Sequence, residues 1–257
     1  MEKDDSDLMP KLTENTELRD HFIEKLRQKY DQDREGTHIS STVYCLRESF
    51  ARKWMPLPQN LTSLFYFLDG EQRHRCLQDL IPNLENEKEI KAEGLVGTMD
   101  VFCPDQTEAP QIIEIKTTRA KPRGELAPHY LRQGAYYCIL MKKTKFTLVT
   151  QHINHGDIIF YDIEFTPEEL ADYAKDLFGS RDVLQQSDKL AAKVMEKVAK
   201  GLFGPIDRDT ALLHIFSEIP MVRDSMRWKC TSCLYHSFCY IEKEDQPKET
   251  LKKVKKK

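Results

Sequence analysis

Four groups of polar residues stand in the middle of the chain: Gly70-x-x-x-His74, Gly97-x-x-Asp100, Glu114-x-Lys116 and Gln133-x-x-x-Tyr137. The two acids and the lysine define the chemistry. Water attacks a phosphodiester poorly, and the phosphate is itself anionic. A divalent ion held by carboxylates answers both problems, because it acidifies a bound water and neutralises charge developing on the phosphate. Mg²⁺ and Mn²⁺ prefer hard oxygen ligands, which Asp100 and Glu114 can supply. Ile112, Ile113 and Ile115 surround Glu114 with an apolar strand. Side chains alternate along a strand, so Glu114 and Lys116 share one face while Ile115 points into the core. The Ile115 carbonyl between them is a further candidate metal ligand. The spacing therefore predicts metal-dependent phosphodiester hydrolysis centred on Asp100, Glu114 and Lys116.

Glu-x-Lys by itself occurs on many exposed strands as a solvated salt bridge. Here the apolar flanks imply burial, which needs a compensating role, and a strand ending in Gly-x-x-Asp precedes it. His74, alone, reads as an ordinary helical residue. Its place upstream of the acids makes it a candidate nitrogen ligand. Gln133 and Tyr137 are four residues apart and share a helical face. Taken alone they would pack that helix on a sheet; beside the acids they are expected to point towards the substrate phosphate or Lys116.

The elements that must position these groups follow from periodicity and punctuation. A charged helix is expected from Glu17 to Asp31, with Leu18, Phe22 and Leu26 on one face, and a second is expected after Ser40-Ser41-Thr42, carrying Tyr44, Cys45, Phe50 and Trp54. A third, Thr62 to Leu80, carries His74. Glu89–Val96 and Thr98–Phe102 read as two strands with a glycine between them, and Gln111–Thr117 as a central strand. Pro128–Met141 reads as a helix with Leu131, Ala135, Cys138 and Ile139 as its buried stripe. Two strands, Phe146–Thr150 and Ile158–Tyr161, flank a turn at His155-Gly156-Asp157. A long helix begins at Thr166-Pro167 and runs towards Lys200, with a break expected near Gly179, and a short one covers Asp207–Phe216.

Length and composition suit one substantial domain: 257 residues, 40% hydrophobic and 32% charged. A net charge of −3 excludes a uniformly basic nucleic-acid binder, though not a local basic surface. Lys252–Lys257 reads as a solvated basic tail, and residues 1–14 as a polar, mobile segment. No apolar run reaches the roughly 18 residues a membrane span needs, and the first residues lack signal-peptide character, so a cytoplasmic protein is expected.

In that compartment seven cysteines do not suggest disulfides. Cys230, Cys233 and Cys239 form a C-x₂-C-x₅-C group, and Cys45 is a fourth candidate far upstream. Four thiolates suit either a [4Fe–4S] cluster or structural zinc, and His236 could join a zinc set. Trp228, Tyr235, Phe238 and Tyr240 are expected to shield the site. Cys76, Cys103 and Cys138 read as small buried hydrophobes.

The ordered motifs resemble the PD-(D/E)xK nuclease superfamily, in its RecB-like branch. With the one-plus-three cysteines and the phrase Tyr44-Cys45-Leu46-Arg47, the stretch from Ser40 to Cys239 is similar to the CRISPR-associated Cas-four family of iron–sulfur nucleases. The resemblance implies an α/β nuclease core, a mixed central sheet flanked by helices, with a helical iron–sulfur cap built from N- and C-terminal segments. It implies Mg²⁺ or Mn²⁺ on His74, Asp100 and Glu114, with Lys116 catalytic, Gln133 and Tyr137 in a fourth motif, and a [4Fe–4S] cluster on Cys45, Cys230, Cys233 and Cys239. The expected activity is a DNA exonuclease on single-stranded ends, trimming pre-spacers with CRISPR integrase proteins. Repair and viral relatives share the motifs. A DNA-end-binding subunit with little catalysis and a junction resolvase are the rival readings. The implied organisation is an extension with a helix (1–39), a helical segment with the first cysteine (40–82), the core (83–165), a helical region (166–226), the cysteine segment (227–241) and the basic tail (242–257). The extra length leaves room for homo-oligomer contacts.

Overall fold

The computed structural model describes residues 16–30, 36–80, 85–104, 112–122, 125–221 and 224–239. Residues 1–14, Gln111, Tyr240 and Lys252–Lys257, on which expectations were placed, lie outside these. The elements in chain order are α1 (Thr16–Tyr30), β1 (Thr37–His38), α2 (Ile39–Val43), α3 (Leu46–Trp54), α4 (Leu61–Gln78), β2 (Glu85–Ala92), β3 (Leu95–Phe102) and β4 (Ile112–Thr118). There follow α5 (Pro128–Met141), β5 (Lys145–His152), β6 (Asp157–Glu164), α6 (Pro167–Ala199), α7 (Pro205–Glu218), a 3₁₀ segment (Asp224–Ser232) and α8 (His236–Cys239). None of the described helices is long and apolar enough to cross a membrane.

The sheet is mixed. Its order is β1-β3-β4-β5-β6, with β2 also paired to β3. β4 and β5 are parallel, so the chain must cross over between them, and α5 is that crossover. β2 runs antiparallel along β3 from Leu95 to Phe102 and occupies one edge. β1 and β4 must therefore share the other edge. β1 takes Leu95 and Val96; β4 takes Val101 and Phe102. Between them Gly97–Asp100 meets neither strand. This gap in the ladder is what the Gly-x-x-Asp motif builds.

Helices cover both faces. Ile39 and Val43 of α2, Ala135 to Cys138 of α5 and Leu177 of α6 close over Met99, Ile112, Phe146 and Leu148. On the other face Leu77 of α4 packs on Val101, Cys103, Ile115 and Val149. A second core joins α3, α6 and α7 to Tyr235 near the chain's end. Thr166 starts α6 with a capping box: its hydroxyl accepts from Glu169 N, and the Glu169 carboxylate accepts from Thr166 N.

Several expectations need correction. The helix expected after Ser40 is two helices, because Tyr44 and Cys45 leave helical geometry between α2 and α3. The turn between β2 and β3 lies at Glu93-Gly94, both with positive φ, while Gly97 is inside β3. α6 continues through Gly179 without a break. α5 is buried from Gln133 to Cys138, on more than a stripe, and Leu131 and Ile139 are only half-buried. Leu18 and Phe22 of α1 are exposed, whereas Leu26 is buried. Cys103 and Cys138 are buried as expected, but Cys76 is exposed on α4.

Candidate active site

The candidate site is assembled at the gap on β3. Antiparallel pairing of β3 with β4 ends at Val101↔Ile113, so Ile115 has no β3 partner in register. Its N–H donates instead to Asp100 Oδ2 at 2.7 Å. The N–H and C=O of one strand residue point to the same edge, so the Ile115 carbonyl also faces the gap. Side chains satisfy the β3 carbonyls there. Tyr137 OH donates to Thr98 O at 2.6 Å, and Gln78 Nε2 donates to Asp100 O at 2.7 Å.

Glu114 lies on the α5 side and is 1% exposed. Its Oε1 accepts from Lys116 Nζ at 2.5 Å and from Gln133 Nε2 at 2.6 Å. Its Oε2 is buried with no hydrogen-bond partner. A buried carboxylate oxygen without a donor is costly, and it is the atom most in need of a ligand. Gln133 Nε2 also lies 3.5 Å from Tyr137 OH. Gln133 and Tyr137 thus act on Glu114 and on the β3 backbone rather than lining an open surface. Both are buried.

Across the gap, His74 Nδ1 lies 3.8 Å from Asp100 Oδ1. The β2–β3 register skips Asp100, opposite Glu87, whose φ is 54°.

The charges are out of balance. Burial, then repulsion from Asp100, pushes the Glu114 carboxyl up to about 8. Burial would lower Lys116, but the Glu114 and Asp100 carboxylates outweigh it and hold the ammonium charged, above its ordinary range. Burial lowers His74 despite the pull of Asp100 and Glu87, which favours the neutral imidazole a ligand requires.

Among the described residues no three His, Cys, Asp or Glu side chains are already gathered around a metal position. The donor chemistry nevertheless fits a hard divalent cation. Asp100, the orphan Oε2 of Glu114 and the Ile115 carbonyl are oxygens on one gap, and His74 adds a nitrogen beside Asp100.

Cys45, Cys230, Cys233 and Cys239 line one cavity of about 20 Å³. Burial raises the thiols of Cys45 and Cys239 and pushes Cys233 up to about 12, so free of metal they are neutral. Tyr235 and His236 also line this cavity; Trp228 and Phe238 do not.

Sequence reasoning missed Gln78 and Glu87, and it used Tyr44 only as part of the cysteine phrase. Gln78 stands four residues after His74, so helical spacing carried the signal. Glu87 carried none, because its approach depends on an irregular backbone. Tyr44, at the break between α2 and α3, is close enough to feel the charge of Lys116, and Lys229 Nζ lies 3.4 Å over its ring.

The chain matches no curated protein at a significant level. Its fold is similar to the crystal structure of SSO0001, with a TM-score of 0.53 and 18% identity over 88% of this chain and 97% of that one. An alkaline exonuclease (LHK-Exo) from Laribacter hongkongensis aligns with a TM-score of 0.42 and 14% identity, over 69% of this chain and 98% of that one. The complex of LHK-Exo with dAMP aligns at 0.42 and 13%, over 71% and 98%. The family pattern that matches residues 2–240 is that of the PD-(D/E)XK nuclease superfamily, and the chain belongs to it.

Proposed function

We propose that the chain is a divalent-metal-dependent DNA exonuclease acting mainly on single-stranded ends, with a [4Fe–4S] cluster on Cys45, Cys230, Cys233 and Cys239. The observation that carries the reading is Glu114: buried, short of a donor at Oε2, and set between Asp100 and a charged Lys116. Mg²⁺ or Mn²⁺ held by Asp100, Glu114, the Ile115 carbonyl and His74 would supply charge neutralisation at the phosphate and a more acidic water. Lys116 is the cation beside the reacting phosphate, and its ammonium stabilises the added negative charge. Gln133 fixes the Glu114 carboxylate, and Tyr137 fixes Gln133 and the Thr98 backbone. The iron–sulfur reading is supported by the convergence of Cys45 with the sequence-distant Cys230, Cys233 and Cys239 on one cavity. The CRISPR setting, trimming pre-spacer ends with integrase proteins, rests on the order of the motifs and the one-plus-three cysteines. A repair or viral nuclease would share them.

The test is cleavage of 5′-labelled and 3′-labelled single-stranded DNA with Mn²⁺ or Mg²⁺, on anaerobically purified protein, beside a closed-circular strand. Label is expected to be lost from linear DNA only, and Lys116→Ala should slow the loss by about 10³-fold with fold and bound metal retained. Equal cutting of the circle would make the enzyme an endonuclease. Binding without cleavage under any of these conditions would make it a DNA-end-binding subunit.

A further inference from the structure

The face of β4 that carries Glu114 and Lys116 continues to Thr118, and β5 sets Thr150 and His152 beside Lys116 and Thr118 in register. At about 3.3 Å per residue, Thr118 lies about 7 Å beyond Lys116, within reach of one nucleotide. Where the first turn of α5 leaves the sheet, these residues open into a cavity of about 700 Å³. Its wall is aromatic. The His129 and Tyr130 rings meet edge to face at 4.3 Å, and Trp228 lies 5.9 Å from His129. Burial, then Lys229 and Lys116, push the His129 imidazole down to about 4, so this ring is uncharged at neutral pH. Lys121 and Glu125 line it from exposed positions.

Trp228 is 56% exposed and faces this cavity. Its neighbour Lys229 lines the cysteine cavity, where the indole takes no part. The indole is therefore not explained as a cover for the cysteines. A ligand suited to this wall has a flat π-face to stack on Trp228. It has a polar edge for Thr118, whose hydroxyl accepts from Ala120 N and still has its own proton to donate, and an anionic attachment that reaches Lys116. A nucleobase on a phosphodiester strand has all three.

We propose that this groove binds the nucleobase next to the scissile phosphate of a single-stranded substrate, stacked on Trp228. The proposal rests on the nuclease reading above and adds to it a substrate-positioning site.

Two measurements test it on the whole 257-residue chain, with EDTA present to prevent cleavage. The first is the affinity of end-labelled oligothymidylate for wild type, Trp228→Ala and Trp228→Phe. Loss of one stacked base should weaken binding about tenfold in Trp228→Ala, and Trp228→Phe should stay within about threefold of wild type. The second places one abasic site at successive positions from the end of the oligonucleotide. One position should weaken wild-type binding by a similar factor and should add nothing further in Trp228→Ala. Equal affinity of a folded Trp228→Ala protein, or a flat abasic scan with wild type, would overturn the groove. If Trp228→Ala fails to fold, the wild-type scan decides alone. A wild type that cuts DNA but gives a flat scan loses only the groove. One that neither binds nor cuts DNA loses the nuclease reading as well.

Discussion

Asp100, Glu114 and Lys116 bring two carboxylates and one ammonium into a space where Glu114 is 1% exposed and Lys116 16%. Burial first, and then the Asp100 carboxylate, make Glu114 hold its proton up to about 8, against an ordinary value of 4.5, despite the Lys116 ammonium. This group's contribution to stability has a definite sign. Because the folded value lies above the unfolded one, folding takes up a proton; the contribution is complete below about 4.5 and is lost as pH rises to about 8. Metal-free protein should therefore lose thermal stability between about pH 6 and pH 8.5 relative to Glu114→Gln, in which this position does not titrate. Mn²⁺ supplies the missing charge, and its binding must displace the proton, so it should abolish the difference. Melting curves in EDTA and in Mn²⁺ at the two pH values check this. Parallel pH dependences for wild type and variant in EDTA would show that Glu114 is not the strained acid. The residue types and spacings of this site were legible in the sequence, because the strand's period of two and the helix's of four place Glu114 with Lys116 and Gln133 with Tyr137. What those side chains hold was not legible. Gln133 and Tyr137 reach inward to Glu114 and Thr98, contacts that depend on how closely α5 approaches the sheet.

At the scale of elements, the site exists because β3 leaves one edge unpaired from Gly97 to Asp100. α2 and α5 close over that stretch. A Cβ at Gly97 would lie 2.3 Å from Ile39 Cδ1 and 3.0 Å from Tyr137 Cε1. The glycine of the Gly-x-x-Asp motif is thus a steric necessity, with no unusual backbone angle. Gly97→Ala should destabilise the fold by about 1–3 kcal/mol and loosen Tyr137 from Thr98. Adding Ile39→Ala removes the opposing methyl groups, so the double variant should be more stable than the sum of the two single losses. Chemical denaturation of the four proteins measures this, and strict additivity would mean that the clash is relieved elsewhere. The same contact explains a misreading: a glycine between apolar runs suggests a turn, yet here the turn is Glu93-Gly94 and Gly97 makes room for a helix. Periodicity also could not reveal the break at Tyr44 and Cys45. The apolar pattern continues through it, and only the convergence of Cys45 with residues near the other end of the chain shows what the break accomplishes.

Across the whole molecule, the described chain closes on itself. α6, about 50 Å long at 1.5 Å per residue, places Leu177 in the sheet core and Leu184, Ala191 and Val194 in the second core. Arg47, at the start of α3, donates to the Ile219 and Ser217 carbonyls at 2.6 and 2.9 Å, and Leu57 N donates to Tyr235 OH at 3.1 Å. These bonds bring Cys45 to Cys230, Cys233 and Cys239 across the intervening nuclease core. A metal group joining the four would close a loop from Cys45 to Cys239, about three quarters of the chain. By analogy with a covalent cross-link of that span, it would remove on the order of 5 kcal/mol of unfolded-state entropy. Burial raises the Cys45, Cys233 and Cys239 thiols, so the group must displace their protons as it forms, and its binding energy becomes folding energy. Cys233→Ala should then lower the melting midpoint and the soluble yield together, by more than Cys138→Ala. Cys138 is buried in α5 and loses only packing when truncated. Metal analysis of the same preparations separates the two chemistries: iron with acid-labile sulfide for the cluster, zinc without it for a structural ion. A Cys233→Ala protein with wild-type metal content and an unchanged midpoint would show that the ends are held by Arg47, Leu57 and the second core alone.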